Sequence, residues 1–166
     1  MVFFKDLLLK VKAFVFDVDG VLANPKIIID HAGNLLRTSN TKDGFALRTA
    51  ILKGYPIGLI TGGTFEQIKN RYEFMGVNKV YLGSTNKVDD LLSFINEVNI
   101  FKENILFMGD DLPDLEAMKM IGIPVCPSDA ATEIKNISKY ISDKKGGEGC
   151  VRDVVEQVLR AQNNWT

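Results

Sequence analysis

Short runs of apolar residues alternate along this chain with segments in which apolar residues recur at helical spacing. Such runs, rich in branched and aromatic residues, predict strands that are buried on both faces. The predicted strands span residues 11–16, 57–60, 79–82, 105–108 and 123–126. Strands of this kind are typical of a parallel sheet that is covered by helices.

The segments between these strands predict crossover helices. They span residues 44–53, 64–75, 87–99, 114–121 and 130–137, and a last helix is predicted at residues 151–161. Strands that alternate with helices indicate an α/β fold, here a three-layer sandwich around a doubly wound, mainly parallel sheet of the Rossmann-like kind. The length of 166 residues suits one domain over residues 1–166.

One insertion interrupts the alternation. Residues 26–39 contain two apolar runs on either side of the turn-like segment His31-Ala32-Gly33-Asn34, and this pattern predicts a β-hairpin that projects from the first loop. Ligands of open α/β sheets bind beyond the carboxyl ends of the strands. We therefore expect the hairpin to form one wall of a ligand site.

The composition of the chain narrows its range of partners. It carries 20 basic and 21 acidic residues for a net charge of -1, so it offers no general attraction for nucleic acid or for an anionic membrane surface. Its two cysteines do not form a disulfide framework, and no long apolar segment predicts a membrane span. We therefore expect a cytoplasmic protein that captures any anionic ligand by local groups.

Two carboxylates follow the first predicted strand. Asp17 and Asp19 leave an extended backbone on the same side, close enough to share one metal ion or one phosphoryl group. This arrangement suits a nucleophile beside a proton donor, because a carboxylate can accept a phosphoryl group and form an aspartyl-phosphate. Gly20, the next residue, allows the backbone to approach a ligand closely.

Groups that suit phosphate follow the next two predicted strands. Thr61 and Gly62 offer a hydroxyl group and backbone amides to phosphate oxygens. Lys87 brings a positive charge to the start of a helix, where the backbone already favours anions.

Three further carboxylates follow the fourth predicted strand, at Asp110, Asp111 and Asp114. The carboxyl ends of parallel strands meet at one edge, so these residues would gather beside Asp17 and Asp19 and repel a phosphate dianion. A hard divalent cation relieves this repulsion. The pattern therefore predicts Mg²⁺, which prefers oxygen ligands and commonly bridges carboxylates and phosphate.

In this order of motifs the chain resembles the haloacid dehalogenase superfamily of phosphotransferases. The four matching motifs are Asp17-Val18-Asp19-Gly20, Thr61 with Gly62, Lys87, and Gly109-Asp110-Asp111-Leu112-Pro113-Asp114. The resemblance implies that Asp17 is the nucleophile and Asp19 the general acid and base, with the phosphoryl group held by Thr61 and Lys87. It also implies Mg²⁺ ligands at Asp17, the backbone carbonyl of Asp19, and Asp110, supported by Asp111 and Asp114.

The spacing of these motifs leaves no room for a large inserted cap domain. Asp19 and Thr61 are separated by 41 residues (20–60), and Thr61 and Lys87 by 25 (62–86). With its predicted hairpin, the chain resembles the capless 3-deoxy-D-manno-octulosonate 8-phosphate phosphatases. That resemblance implies an eight-carbon sugar-acid phosphate as substrate, a role in lipopolysaccharide synthesis, and a homotetramer in which neighbouring subunits complete each site.

Three more residues are candidates for contact with substrate. Lys42 and Asp43 follow the hairpin, either on a solvated turn or on an edge that faces substrate. Arg152 offers a planar fork that suits carboxylate or phosphate. It lies on a tail, residues 146–166, whose glycines either leave it free to move as a lid or join a strand to the last helix.

The sequence leaves the substrate open in one respect. Gly63 and Thr64 stand where many relatives carry Arg, so the residue that binds the substrate carboxylate is not identified. A related phosphatase that acts on a nine-carbon sugar-acid 9-phosphate is one alternative. The other is a phospho-accepting signalling domain, although a proton donor two residues after Asp17 favours turnover.

Overall fold

A computed structural model describes residues 3–165 of the chain. Within this range the strands are β1 (Ala13–Phe16), β2 (Ile28–Ile29), β3 (Leu35–Leu36), β4 (Ile57–Ile60), β5 (Lys79–Tyr81), β6 (Ile105–Met108), β7 (Ile123–Cys126) and β8 (Tyr140–Ile141). All except β2 and β3 form one sheet in the order β5-β4-β1-β6-β7-β8, with parallel pairing throughout. The chain therefore builds outwards from β1 in both directions, and the doubly wound sheet is confirmed.

Helices cover both faces of this sheet. They are α1 (Phe4–Leu8), α2 (Thr41–Leu52), α3 (Glu66–Met75), α4 (Lys87–Val98), α5 (Leu115–Met120), α6 (Thr132–Ile137) and α7 (Cys150–Ala161). Phe14 and Phe16 belong to the core that includes buried residues of α2 and α7, whereas Val15 belongs to the core beneath α4, α5 and α6. Side chains alternate along a strand, so β1 contributes to both cores. Because helices cover both faces of the sheet, all the side chains of β1 are buried. No helix within residues 3–165 has the length and apolar character to cross a membrane.

Most element boundaries agree with the predictions to within a few residues. Helix α2 begins at Thr41, earlier than predicted, because the Asn40 side chain accepts a hydrogen bond from the backbone N–H of Lys42 and caps the helix. The sequence did not predict α1 or β8. Strand β8 has two residues and pairs only with β7 at the sheet edge, so its apolar pattern is too short to recognise.

The predicted hairpin is present as β2 and β3. Its turn is ordered by Asp30, whose carboxylate accepts hydrogen bonds from the backbone N–H groups of Ala32 and Asn34, both at 2.8 Å. The strands are apolar and exposed to solvent: Ile28 and Ile29 are 58% and 69% exposed. Leu35 and Leu36 are also exposed.

The described part of the tail is packed into the body of the same subunit. Helix α7 buries six residues, Cys150, Val151, Val154, Val155, Val158 and Leu159. Before it, the backbone N–H of Gly147 donates to the carbonyl of Val21 at 2.8 Å. A Cβ atom on Gly146 would lie 1.9 Å from the carbonyl oxygen of Gly20. These glycines therefore permit close contact between two backbone segments.

We expect a core substitution in α7 to destabilise the whole fold. Val155→Ala removes two buried carbons from a fully buried side chain and should lower the free energy of unfolding by about 2 kcal/mol. Urea unfolding followed by circular dichroism measures this. Arg160→Ala, on the exposed side of the same helix, should change stability by less than about 0.5 kcal/mol. A Val155→Ala variant as stable as the parent would support a loosely attached tail.

Candidate active site

The polar residues at the carboxyl ends of the strands line one pocket. It has a volume of about 430 Å³ and lies against the ends of β1, β4 and β6, with further walls from the loop after β5 and the start of α4. The lining includes all the predicted catalytic, phosphate-binding and acidic residues: Asp17, Asp19, Thr61, Gly62, Lys87, Asp110, Asp111 and Asp114. Pro25, Gly63, Ser84 and Pro113 complete it. The parallel sheet thus brings together residues from four separate segments.

A buried ion-pair cluster lies at the base of this pocket. The Lys87 Nζ atom lies 3.0 Å from Asp17 Oδ1 and 2.6 Å from Asp114 Oδ1. The side chains of Lys87 and Asp17 are 7% and 10% exposed, and that of Asp114 is 1% exposed. Removing the Lys87 ammonium would leave two buried carboxylates without a cation, so Lys87 holds the two acids in place.

Burial, together with an excess of negative over positive charge, raises the pKa values of two acids in this cluster. Burial, followed by the charge of Asp114, raises the pKa of Asp17 from 3.8 to about 7, against the opposing effect of Lys87. Burial and the neighbouring carboxylates, Asp17 first, raise the pKa of Asp110 from 3.8 to about 8. Burial alone would lower the pKa of Lys87, but Asp17 and Asp114 raise it above its usual value.

The phosphate-binding candidates form a compact turn after β4. Thr61 is 3% exposed, and its Oγ1 atom accepts a hydrogen bond from the backbone N–H of Gly63 at 3.1 Å. The backbone N–H of Ser84 donates to the Thr61 carbonyl at 2.9 Å, which joins this turn to the loop after β5. The turn therefore presents a hydroxyl group and backbone amides in a defined arrangement beside Lys87.

Asp19 is oriented by a residue that the sequence analysis missed. The Arg37 guanidinium binds the Asp19 carboxylate through two hydrogen bonds, Nε to Oδ1 at 2.6 Å and Nη2 to Oδ2 at 3.0 Å. The guanidinium also lies 4.0 Å from the ring centroid of Phe65, and the Arg37 side chain is 9% exposed. The hairpin thus supplies the cation that orients Asp19. The one sequence signal for this role was the position of Arg37 just after the second apolar run of the hairpin.

The acidic residues suit a divalent cation. Single oxygens of Asp17, Asp110 and Asp114 all lie within 4.8 Å of one another. Asp114 is already engaged, because Lys87 contacts Oδ1 and the backbone N–H groups of Asp110 and Asp111 donate to Oδ2 at 3.0 and 3.4 Å. In contrast, Asp110 Oδ1 is buried and has no hydrogen-bond partner within the described residues. An oxygen of that kind is suited to a hard cation.

Asp111 and Asp114 organise the loop that carries Asp110. The Asp111 carboxylate accepts a hydrogen bond from the backbone N–H of Leu112 at 2.8 Å, and the two acids form a reciprocal cap on the turn Leu112–Asp114. These hydrogen bonds fix the shape of the loop between β6 and α5.

The structure does not bring Lys42, Asp43 and Arg152 into the pocket of the same subunit. Asp43 is 1% exposed and accepts a hydrogen bond from the backbone N–H of Arg152 at 2.7 Å. Burial raises the pKa of Asp43 to about 6. The Arg152 guanidinium pairs with Glu156 and lies 4.5 Å from a ring centroid of Trp165. Asp43 and Arg152 therefore fasten α7 to α2, and neither is among the residues that line the pocket of their own subunit.

Comparison with known proteins agrees with this geometry. A family model described as haloacid dehalogenase-like hydrolase matches residues 76–152. The 3-deoxy-D-manno-octulosonate 8-phosphate phosphatase KdsC of Escherichia coli K12 is 30% identical over 152 residues, which cover 92% of this chain and 81% of that protein. The chain belongs to the 3-deoxy-D-manno-octulosonate 8-phosphate phosphatase family of haloacid dehalogenase-like hydrolases.

Solved structures of this phosphatase family share the fold. The enzyme from Moraxella catarrhalis, in complex with a magnesium ion, a phosphate ion and a KDO molecule, superposes with a TM-score of 0.91 at 30% identity, over 96% of this chain and 92% of that chain. The enzyme from Yersinia pestis gives a TM-score of 0.92 at 27% identity, over 96% and 86% of the two chains. The fold and the family are therefore confirmed together.

We expect the free energy of unfolding of the metal-free protein to fall as the pH rises from 6 to 8. The pKa values of Asp17 and Asp110 are raised in the folded state, so the folded protein holds protons that the unfolded chain has already released. The contribution of these two groups to the free energy of unfolding is largest at low pH. It is lost as the pH rises through the folded-state pKa values of about 7 and 8.

Urea unfolding in the presence of a chelator measures this change, which should be on the order of 1 kcal/mol. Asp110→Asn, which cannot ionise, should be more stable than the parent at pH 8 and should depend less on pH. Parent stability that stays level or increases between pH 6 and 8 would contradict the charge balance described for the cluster.

Proposed function

We propose that residues 1–166 act as a single Mg²⁺-dependent phosphatase domain that hydrolyses 3-deoxy-D-manno-octulosonate 8-phosphate. The observation that carries the proposal is the meeting of Asp17, Lys87 and Asp110 with the Thr61 turn in one pocket. A carboxylate nucleophile, a fixed cation and phosphate-binding amides are together the groups that phosphoryl transfer requires.

The proposed Mg²⁺ ligands are the carboxylates of Asp17 and Asp110 and the backbone carbonyl of Asp19. The partnerless Oδ1 atom of Asp110 and the close approach of the three acids in the pocket support this set. Mg²⁺ bound there would offset the negative charge of the carboxylates and of the substrate phosphate. Related support comes from the magnesium ion and phosphate ion in the complex of the Moraxella catarrhalis enzyme.

In the first half of the proposed reaction, a carboxylate oxygen of Asp17 attacks phosphorus and the bond from phosphorus to the sugar oxygen breaks. Asp19 gives a proton to the departing sugar oxygen, and the products are an aspartyl-phosphate and the free sugar acid. The Thr61 hydroxyl, the Gly62 backbone amide and Lys87 hold the phosphoryl oxygens during this transfer.

In the second half, water attacks the aspartyl-phosphate while Asp19 takes a proton from it. The bond between phosphorus and the Asp17 oxygen breaks, which releases inorganic phosphate and restores the carboxylate. Arg37 donates two hydrogen bonds to the Asp19 carboxylate, and these orient the ionised form that takes a proton from water in this half.

The substrate assignment follows from family membership. The relatives named above are phosphatases of 3-deoxy-D-manno-octulosonate 8-phosphate, and the Moraxella catarrhalis enzyme was solved with KDO. The pocket is wide enough for a sugar phosphate, and the hairpin borders it through Arg37. As part of the same proposal, the reaction takes place in the cytoplasm and supplies an eight-carbon sugar acid for lipopolysaccharide synthesis.

We also propose that the protein is a homotetramer in which hairpins pack together and neighbouring subunits complete each site. Exposed apolar side chains on β2 and β3 support this, because a two-stranded hairpin of this kind is only marginally stable in water without a partner surface. Ile27, which precedes β2, is also 40% exposed and extends the same surface.

The function is tested by phosphate release from the purified full chain with Mg²⁺. Substrates are 3-deoxy-D-manno-octulosonate 8-phosphate, a nine-carbon sugar-acid 9-phosphate and p-nitrophenyl phosphate. We expect the eight-carbon substrate to be preferred. Asp17→Asn should reduce turnover by at least about 10⁴-fold without lowering the melting temperature, because it removes the nucleophile and a buried charge.

The matched control is Asp143→Asn, an exposed acid remote from the pocket, which should keep parent activity. Preference for the nine-carbon acid would overturn the substrate assignment. The absence of phosphate release from all three compounds would overturn the phosphatase proposal in favour of a phospho-accepting domain. Parent-like turnover by Asp17→Asn would show that another residue is the nucleophile.

The proposed assembly is tested by a charged substitution on the hairpin. Ile29→Lys places an ammonium group on the apolar surface and should convert the tetramer to smaller species, as measured by light scattering after size exclusion. Phe74→Lys is the control, because Phe74 is 93% exposed on α3 and outside the hairpin. A parent protein that is monomeric, or an Ile29→Lys variant that remains tetrameric, would exclude the hairpin as the assembly surface.

A further inference from the structure

Residues 146–149, which we call the glycine strap, lie directly against the loop that carries Asp17 and Asp19. The Gly147 N–H donates to the carbonyl of Val21 at 2.8 Å. The Gly146 N–H donates to Asp129 Oδ1 at 2.9 Å, and the Asn40 side chain donates to the carbonyl of Gly147 at 3.4 Å. The strap is therefore held by the active-site loop at Val21 and by two other segments, at Asp129 and at Asn40.

The contact between the strap and the loop leaves no room for a side chain. A Cβ atom on Gly146 would lie 1.9 Å from the carbonyl oxygen of Gly20 and 2.5 Å from its carbonyl carbon. A Cβ atom on Gly147 would lie 2.3 Å from the backbone nitrogen of Asn24. Both clashes are with backbone atoms, so a larger residue at either position must displace the loop or the strap.

The opposite side of Gly20 faces the acidic cluster. A Cβ atom on Gly20 would lie 1.9 Å from Asp110 Oδ2, which places the Asp110 carboxylate against the α-carbon of Gly20. Gly20 therefore contacts the strap through its carbonyl group and Asp110 through its α-carbon. A shift of the Gly20 peptide away from the strap would alter the spacing between Asp110 and the two acids of the loop.

We propose that the glycine strap positions the active-site loop, with Gly146 and Asp129 as its main positioning residues. The strap fixes the peptide of Gly20, and through it the spacing of Asp17, Asp19 and Asp110. The strap acts through the loop and does not touch substrate. The effect on turnover rests on the proposed function, whereas the effect on cation binding depends only on the acidic cluster.

The first test compares Gly146→Ala with Gly149→Ala. Gly149 is in the same strap and has a φ of +103°, but a Cβ atom there would meet nothing within 4 Å, so its substitution strains the backbone without pushing the loop. We expect Gly146→Ala to lower kcat by about 100-fold, because a displacement near 1 Å of reacting groups has that effect. KM should change by less than about twofold, and the Kd for Mg²⁺ measured by calorimetry should rise by about tenfold.

Gly149→Ala should keep the parent kcat and Mg²⁺ affinity even where its melting temperature falls. This comparison separates positioning from general destabilisation. The proposal is overturned when a folded Gly146→Ala variant keeps the parent kcat and Mg²⁺ affinity. It is also overturned when Gly149→Ala loses both in proportion to its loss of stability.

The second test uses Asp129, for the case in which Gly146→Ala does not fold. Asp129→Asn retains an oxygen that can accept the hydrogen bond from Gly146, whereas Asp129→Ala removes it. We expect Asp129→Ala to lower kcat by about fivefold, the effect of one lost hydrogen bond, and Asp129→Asn to remain near the parent value. Equal kcat values for the two variants would overturn the role of Asp129.

Failure of the proposed function has a different signature. A parent protein without phosphatase activity would refute the function, and the strap would then be judged by the Mg²⁺ affinities of the same variants. Weaker Mg²⁺ binding by Gly146→Ala than by Gly149→Ala supports the strap in that case, and equal binding overturns it.

Discussion

The buried contact of the Lys87 ammonium with the carboxylates of Asp17 and Asp114 is the interaction on which the active site depends. The sheet places several acids at the ends of adjacent strands, where each lowers the tendency of the others to ionise. The acids are buried and one ammonium group does not balance their charge, so the pKa values of Asp17 and Asp110 are raised. This imbalance costs stability in the metal-free protein, and it also creates the affinity for a cation that phosphoryl transfer requires.

The hairpin joins an exposed apolar surface to the residue that orients Asp19. Its apolar side chains are exposed on β2 and β3, while Arg37, the residue after β3, binds Asp19 within the pocket. A change in the environment of the hairpin would therefore reach the residue proposed to transfer protons. The hairpin reaches the pocket through Arg37, although none of residues 26–39 is among those that line it, so the expected wall is reduced to this one contact.

The central strands and the motif residues could be predicted because each depends on local information. A continuous apolar run indicates a strand buried on both faces, and parallel strands bring their ends together. Arg37 could not be predicted, because its pairing with Asp19 joins a hairpin to a loop 18 residues away. The sequence left two alternatives for the glycine strap for a related reason: glycine permits both mobility and close packing, and only contacts with neighbouring segments decide between them.

The sequence by itself determined the order of the central strands and the helices between them, the family, and the acids, threonine and lysine that meet at the pocket. These follow from periodicity and from the position of short motifs after strands. Only the tertiary structure decided that Arg37 orients Asp19, that Asp43 fastens α7, and that residues 146–149 brace the loop of Asp17. The physical reason is that ion pairing, burial and backbone clearance depend on distances between segments remote in sequence, which no local pattern contains.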